Sequence, residues 1–329
     1  MLLQRSLGNS AVAGLMVQRQ EGTTATQTPA TPSPAATPTT RAEAETQLRQ
    51  RFGVGRVFEG ALADQARRMN TNRMDTFGSA EERQDIPDML NAAGWQAWSP
   101  PDGSPIWGWL VNSFSNFDRT FGGVPQAREI VFFKTDYSFV PPDRGGPRLV
   151  PDARTGAQFG GGNMTIYETA EAQATAGRVR TSRSTAAGSM GGGPQQPATT
   201  AQAGFEFTIQ HEMGHGLGEA VATSVEPRVF SQFGQHVGWR SGRLYDQGVE
   251  DEAHLITRRN WNSAGWQDQP LSEHSLSNVG EDFAESIAAF ATQPQALRDR
   301  SPRRHEFIQN NLDSFRRAMQ AARGQGGGG

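Results

Sequence analysis

Apolar residues recur every third or fourth position in several separated stretches of the chain. Leu3, Leu7, Ala11 and Leu15 stand four apart, with Val12 and Met16 beside them and polar residues between. That is the pattern of a short amphipathic helix over residues 1 to 20. A helix this short is marginal alone, so its stripe needs a partner surface; the other reading is an unstructured start that contains leucines. Residues 42 to 51 and 57 to 76 also read as helices, with Phe58, Leu62 and Met69 as core positions. Residues 129 to 140 hold EIVFF and YSFV, one or two strands, and NMTIY at 163 to 167 is another, entered through Gly160, Gly161 and Gly162. Helices are expected near 201 to 220, where Thr199 or Thr200 can cap, and at 279 to 292 and 302 to 322. Ser301 and Pro302 mark the start of the last one, and Ile308, Leu312, Phe315 and Met319 line its face.

Between these segments lie tracts that cannot pack. Residues 21 to 40, EGTTATQTPATPSPAATPTT, hold four prolines and no large apolar side chain, so they read as a disordered linker. Residues 171 to 200 form a long Ala/Gly/Ser/Thr-rich surface loop, and the glycine tail at 323 to 329 frays. Trp95, Trp98, Trp107 and Trp109, set among prolines and glycines, belong to a core or to the wall of a groove. The layout is a leader segment at 1 to 20, a linker at 21 to 40, one α+β domain at 41 to 322 and a short tail. The domain should be largely helical with a small sheet.

Composition narrows the chemistry. The chain has 329 residues, 31 basic and 34 acidic, for a formal charge of -3. That balance offers no broad positive field for a phosphate backbone, so nucleic acid is not an expected partner. There is no cysteine, which removes disulfides, thiol catalysis and thiolate metal sites. The apolar runs are too short to span a bilayer, and the N-terminus lacks the unbroken apolar stretch of a signal peptide. Export, if it occurs, is expected to use neither device.

The segment with the clearest chemistry is His211-Glu212-Met213-Gly214-His215. On a helix the two histidines lie one turn apart on one face, where their ring nitrogens can converge on one Zn²⁺. Glu212 projects beside them and can move protons between the attacking water and a leaving amine. Ile209, Met213, Leu217 and Val221 form the neighbouring core stripe. The bland alternative is a surface helix with two solvated histidines. Gly214, Gly216 and Gly218 each cost about 1 kcal/mol of helix propensity relative to alanine. They imply close approach of another backbone, or a helix that ends near Gly218.

Two histidines leave the metal short of ligands. Position 221, where a metzincin would place its third histidine, is Val221, which cannot coordinate. Glu281, in Gly280-Glu281-Asp282-Phe283-Ala284-Glu285-Ser286, is the better candidate. Glu285, one turn on, can accept the remaining ring N–H of a ligand histidine. Asn278 and Glu281 also have capping-box spacing, so Glu281 has a purely structural alternative. Asp282 lies about a third of a turn round and is a weaker candidate ligand. His236 and His254 stay open as other ligands, Tyr245 as a donor, and Arg303 and Arg304 as contacts for a substrate carboxylate or as solvated surface.

An HExxH helix followed about 70 residues later by EDFAES resembles the gluzincin zinc metallopeptidases. Within them it is similar to the anthrax lethal factor-like catalytic domains, which pair HExGH with an ExFAE helix. The resemblance implies a zincin-like α+β fold and one Zn²⁺ per chain held by His211, His215 and Glu281. It also implies Glu212 as general base, Glu285 as the supporting acid, and a protein or peptide substrate. Those domains often carry a tyrosine seven residues before the third ligand. Here that position is His274, which can donate to the developing oxyanion, ligate, or simply be exposed.

Residues 1 to 20, LLQRSLGNSAVAGLMVQRQ after the initiator, are similar to the leader of effectors carried by extracellular contractile injection systems. That likeness implies a toxin loaded into an injection particle through this segment and delivered to a target cell, with residues 1 to 40 contributing little to stability or activity. The competing expectation is a non-catalytic effector that uses zinc to build a protein-interaction module.

Overall fold

The computed structural model describes residues 36–72, 85–140, 148–152, 155–170, 201–239, 271–272, 275 and 278–325. The expected leader, the loop at 171 to 200, Tyr245, His254 and His274 lie outside the described residues.

Helix α1 (Arg41–Phe52) begins where Thr39 and Thr40 give it a complete cap. The Thr40 hydroxyl accepts from the Glu43 N–H, and the Glu43 carboxylate accepts the backbone N–H of Thr39 at 2.8 Å and of Thr40 at 3.2 Å. Three orphan donors are thereby satisfied. Pro38 is buried, and Thr37 and Pro38 pass so close to Gly108 that a Cβ there would lie 2.6 Å from the Thr37 methyl. The helix stops at Gly53, whose φ of 72° is left-handed.

Next comes strand β1 (Arg56–Glu59), then α2 (Leu62–Asn72). A single helix from residue 57 does not form. Gly55 lets the Arg128 carbonyl come within 2.4 Å of where a Cβ would sit, and Gly60 lies under the Phe133 ring. These close approaches fix RVFE in parallel pairing with a strand more than 70 residues away, and tertiary pairing overrides the local pattern. Helices α3 (Ile86–Ala92) and α4 (Ile106–Phe121) follow; α4 carries Trp107, Leu110, Phe114, Phe117 and Phe121 into the core.

The strands are β2 (Glu129–Phe133), β3 (Asp136–Val140), β4 (Arg148–Asp152), β5 (Ala157–Gly160) and β6 (Asn163–Tyr167). One sheet has the order β1-β2-β6-β5, with β5 antiparallel to β6 and the other pairs parallel; β3 and β4 form a separate antiparallel pair. NMTIY is therefore an inner strand. The tight turn through Gly161 and Gly162, at φ 57° and 76°, folds one more short strand against it, and β5 is the outer one. On β2, Ile130 and Phe132 face the main core while Val131 and Phe133 face the other side with Tyr167. Both faces are covered, which is why β2 is apolar at every position after Glu129.

The helices that complete the fold are α5 (Ala201–Ser224), α6 (Val229–Val237), α7 (Val279–Thr292), α8 (Pro294–Arg300) and α9 (Pro302–Gln325). Phe205, Ile209, Met213 and Leu217 of α5 share a core with Phe283 and Ile287 of α7, Phe121 of α4 and Phe315 of α9. The fold is α+β, mostly helical with a small mixed sheet. No described helix is long and apolar enough to cross a membrane.

Thr40→Ala removes the cap of α1 and should cost about 1 kcal/mol. Thermal unfolding should show a midpoint lower by roughly 2–4 °C. A truncation that removes Thr37–Thr40 should lower it further than one ending at Ala36, and equal midpoints would count against a role for the cap.

Candidate metal centre

Helix α5 holds the histidines because its other faces are committed to packing. Ile209, Met213 and Leu217 are fully buried, and each glycine meets a different neighbour. A Cβ on Gly214 would lie 2.9 Å from both the Cα and the carbonyl oxygen of Ala284 in α7. One on Gly216 would meet Phe159 of β5 and Pro125 at 2.7 Å, and one on Gly218 would meet the Phe230 ring of α6 at 2.5 Å. The helix runs on to Ser224, so the glycines mark close approaches rather than a helix end.

That contact brings α7 alongside α5. Its first turn is capped by Asn278, whose Oδ1 accepts from the Glu281 N–H at 2.9 Å. The cap thus holds Glu281 by its backbone N–H while its side chain faces the histidines. Glu281 Oε2 lies 3.1 Å from His211 Nε2 and 3.4 Å from His215 Nε2, and the two Nε2 atoms are 3.2 Å apart. The rings stand edge to face, with an interplanar angle of 88°.

This triangle passes a direct test of fit. Zinc–ligand bonds of about 2.0–2.1 Å at tetrahedral angles require ligand atoms roughly 3.3–3.4 Å apart. The three measured edges lie within a few tenths of an ångström of that. His211 is buried and the other two residues are half-buried. Among the described residues this is the single group of three or more candidate ligands that converge in this way.

The electrostatics favour a cation. Burial opposes the charged form of His215, but its hydrogen bond to Glu281 and the charges of Glu212, Glu281 and Glu219 outweigh it. Its pKa is raised above the ordinary histidine value. A proton and a metal ion are drawn by the same carboxylates. Glu212 is buried, with Oε1 4.0 Å from His211 Nε2, beside the triangle rather than in it.

At Glu285 the structure places Ser272, whose Oγ donates to the two carboxylate oxygens at 2.6 and 2.8 Å. Ser272 and Ser275 close a small turn on themselves, with Ser275 Oγ donating to the Ser272 carbonyl at 2.8 Å. Nothing in the local sequence singles out Ser272, because its partner is 13 residues on. His236 sits on α6 with Nε2 3.6 Å from Glu306, away from the cluster. Asp282 and Arg304 turn away from the site and pair with each other, both fully buried. Arg303 donates to the His236 carbonyl at 3.2 Å. Burial, and then the Arg298 charge, lower the pKa of His305, which lies against Phe290.

Comparison of the chain with family models, with curated proteins and with solved structures returns no match. Fold and site together define an α+β protein with a buried His-His-Glu cluster able to coordinate a metal ion.

Gly214→Ala separates packing from propensity. In an ordinary helix this change gains about 1 kcal/mol. Here the new methyl meets the Ala284 backbone, which cannot swing aside, so overpacking should cost about 1–3 kcal/mol. Denaturant unfolding of G214A should show net destabilisation, with weaker Zn²⁺ binding as α7 is pushed off α5. A more stable variant would contradict the close approach.

Proposed function

We propose that this protein is a zinc-dependent endopeptidase of the gluzincin type. The observation that carries the reading is the placement of Glu212 beside, and outside, a ligand triangle of tetrahedral dimensions. A site that only held a metal would have no use for a buried carboxylate at that position. Zn²⁺, when bound, supplies Lewis acidity toward a carbonyl and makes water a nucleophile near neutral pH. His211 and His215 as neutral imidazoles, with Glu281 as carboxylate, would leave the centre at net +1, which suits that chemistry.

Glu212 accepts a proton from the attacking water and hands it to the departing amine. Strand β5 gives the substrate a place to lie. Its outer side pairs with no strand among the described residues, and Phe159 packs on Gly216, one turn beyond Glu212. An extended peptide adding to that edge would be held by main-chain hydrogen bonds beside the histidines. His274, seven residues before Glu281, is assigned here the donor to the oxyanion.

The leader-like residues 1 to 20 support a toxin or effector role, with loading into a contractile injection particle through their leucine stripe. Changing Leu3, Leu7 and Leu15 together to polar residues should abolish particle association and leave peptide hydrolysis intact. The opposite pattern would make the segment part of the fold.

Purified protein should hold close to one zinc per chain, and Glu281→Ala should lose most of it. Full, tight occupancy in E281A would remove Glu281 from the ligand set. Glu212→Gln keeps size and polarity, so zinc content should persist while peptide turnover falls by at least ~10². An E212Q protein that cleaves at the native rate would refute proton transfer. A native protein that binds zinc but cleaves nothing in a chelator-controlled proteome digest would favour the non-catalytic effector.

A further inference from the structure

Asp282 directly follows the third ligand and faces away from the site. Its carboxylate accepts from Arg304 Nε at 2.8 Å and Nη2 at 2.7 Å, and from Trp239 Nε1 at 2.8 Å. Asp282 and Arg304 are fully buried and Trp239 nearly so. Arg304 lies in the first turn of α9, and Trp239 follows the left-handed Gly238 that ends α6. The neighbouring Arg303 donates to the His236 carbonyl in the last turn of α6. One carboxylate therefore joins the end of α6 to the starts of α7 and α9.

Stability is a weak explanation for such a group. Removing two charges from water costs most of what their attraction returns, and an apolar trio would hold three helix ends as well or better. What the ion pair adds is direction, because the planar guanidinium fork fixes both the position and the plane of the carboxylate. Direction matters at this point in the chain. Glu281 is the third residue of α7, in the first turn, whose N–H groups have no partner within the helix. Consecutive side chains on a helix point about 100° apart, so pinning Asp282 toward α9 aims Glu281 toward α5. A rotation of roughly 15° would carry a carboxylate roughly 6 Å from the axis through roughly 1.5 Å, well outside the tolerance of a preorganised site.

We propose that Asp282, Arg304 and Trp239 form a positioning clamp that sets the rotation of the first turn of α7 and so holds Glu281 within reach of both histidines. This rests on the metal-centre reading above. The three residues act on Glu281 through the helix, as positioning residues.

The test uses the full chain and Asp282→Asn, Trp239→Phe and Arg304→Lys variants. Leu48→Ala serves as a control, in the core beneath α1 and away from α7. Zn²⁺ affinity is measured by chelator competition, Co²⁺ by its visible d–d bands, and folding by circular dichroism. D282N should bind Zn²⁺ about 10-fold or more weakly and W239F about threefold or more weakly. Both should lose Co²⁺ band intensity as the tetrahedral geometry relaxes. L48A should be clearly destabilised yet keep the native Zn²⁺ affinity and Co²⁺ spectrum. R304K, which keeps the charge but not the fork, should resemble D282N. Folded D282N and W239F with native affinity and native spectrum would overturn the clamp. W239F leaves the ion pair in place, so its result decides the matter if the charge variants do not fold. If the native chain binds neither metal, the metal-centre reading fails and the clamp falls with it.

Discussion

Helices α5 and α7 meet at Gly214 and Ala284 so closely that no side chain fits between them. Everything that makes the site depends on this contact. The two histidines are local to one helix, but Glu281 comes from a segment far along the chain and reaches them only if the backbones touch. Three glycines within five residues make a poor helix, at about 1 kcal/mol each relative to alanine. The helix survives because its apolar stripe is fully buried against α7, α4 and α9, and tertiary packing of that size outweighs propensity. The glycines are then understood as space: for the Ala284 backbone, for the Phe159 ring on the outer strand, and for the Phe230 ring of α6. One sequence feature thereby places the metal triangle, the sheet edge and the small helix around a common centre.

The part of the site that could be read from the sequence is the part built on short-range spacing. His211, Glu212 and His215 lie within five residues, so helix geometry alone predicts their convergence. Glu281 was readable as a candidate, with its capping role as the rival; in the structure Asn278 holds its backbone N–H and its side chain faces the histidines. What escaped is what depends on distant partners. Helix α4 does carry a helical stripe, Trp107, Leu110, Phe114, Phe117 and Phe121 at steps of three and four, but the prolines and glycines around its tryptophans suggested a core or groove wall and no helix. Strand β1 carries an apolar pair that also fits a helix, and only parallel pairing with β2 decides it. Strand β5 is four residues long, too short to give a period, and its pairing makes NMTIY an inner strand. Arg303 and Arg304 read as a pair for a substrate carboxylate or for solvent, and nothing in SPRRHEF reveals that Arg304 is fully buried on Asp282.

The same division orders the functional account. The cluster itself, three ligand atoms at tetrahedral spacing with carboxylates that attract a cation, follows from geometry and Coulomb's law. Peptide hydrolysis requires more: a proton carrier beside the ligands, and a surface that holds a chain extended across them. The proposed function assigns these to Glu212, on the same helix as the histidines, and to the outer side of β5, the strand packed on it. Helix α7 has the narrower task of presenting one carboxylate at one angle. It is gripped on one flank by Gly214 and on the other by Arg304.

X-ray absorption at the zinc edge of the zinc-loaded native chain tests the central claim most directly, because it reports the ligand shell without any assay of activity. The account predicts a four-coordinate shell of nitrogen and oxygen at about 2.0–2.1 Å, with outer-shell scattering from two imidazoles. A shell with three imidazoles, or a six-coordinate one, would mean that the ion is not held by His211, His215 and Glu281.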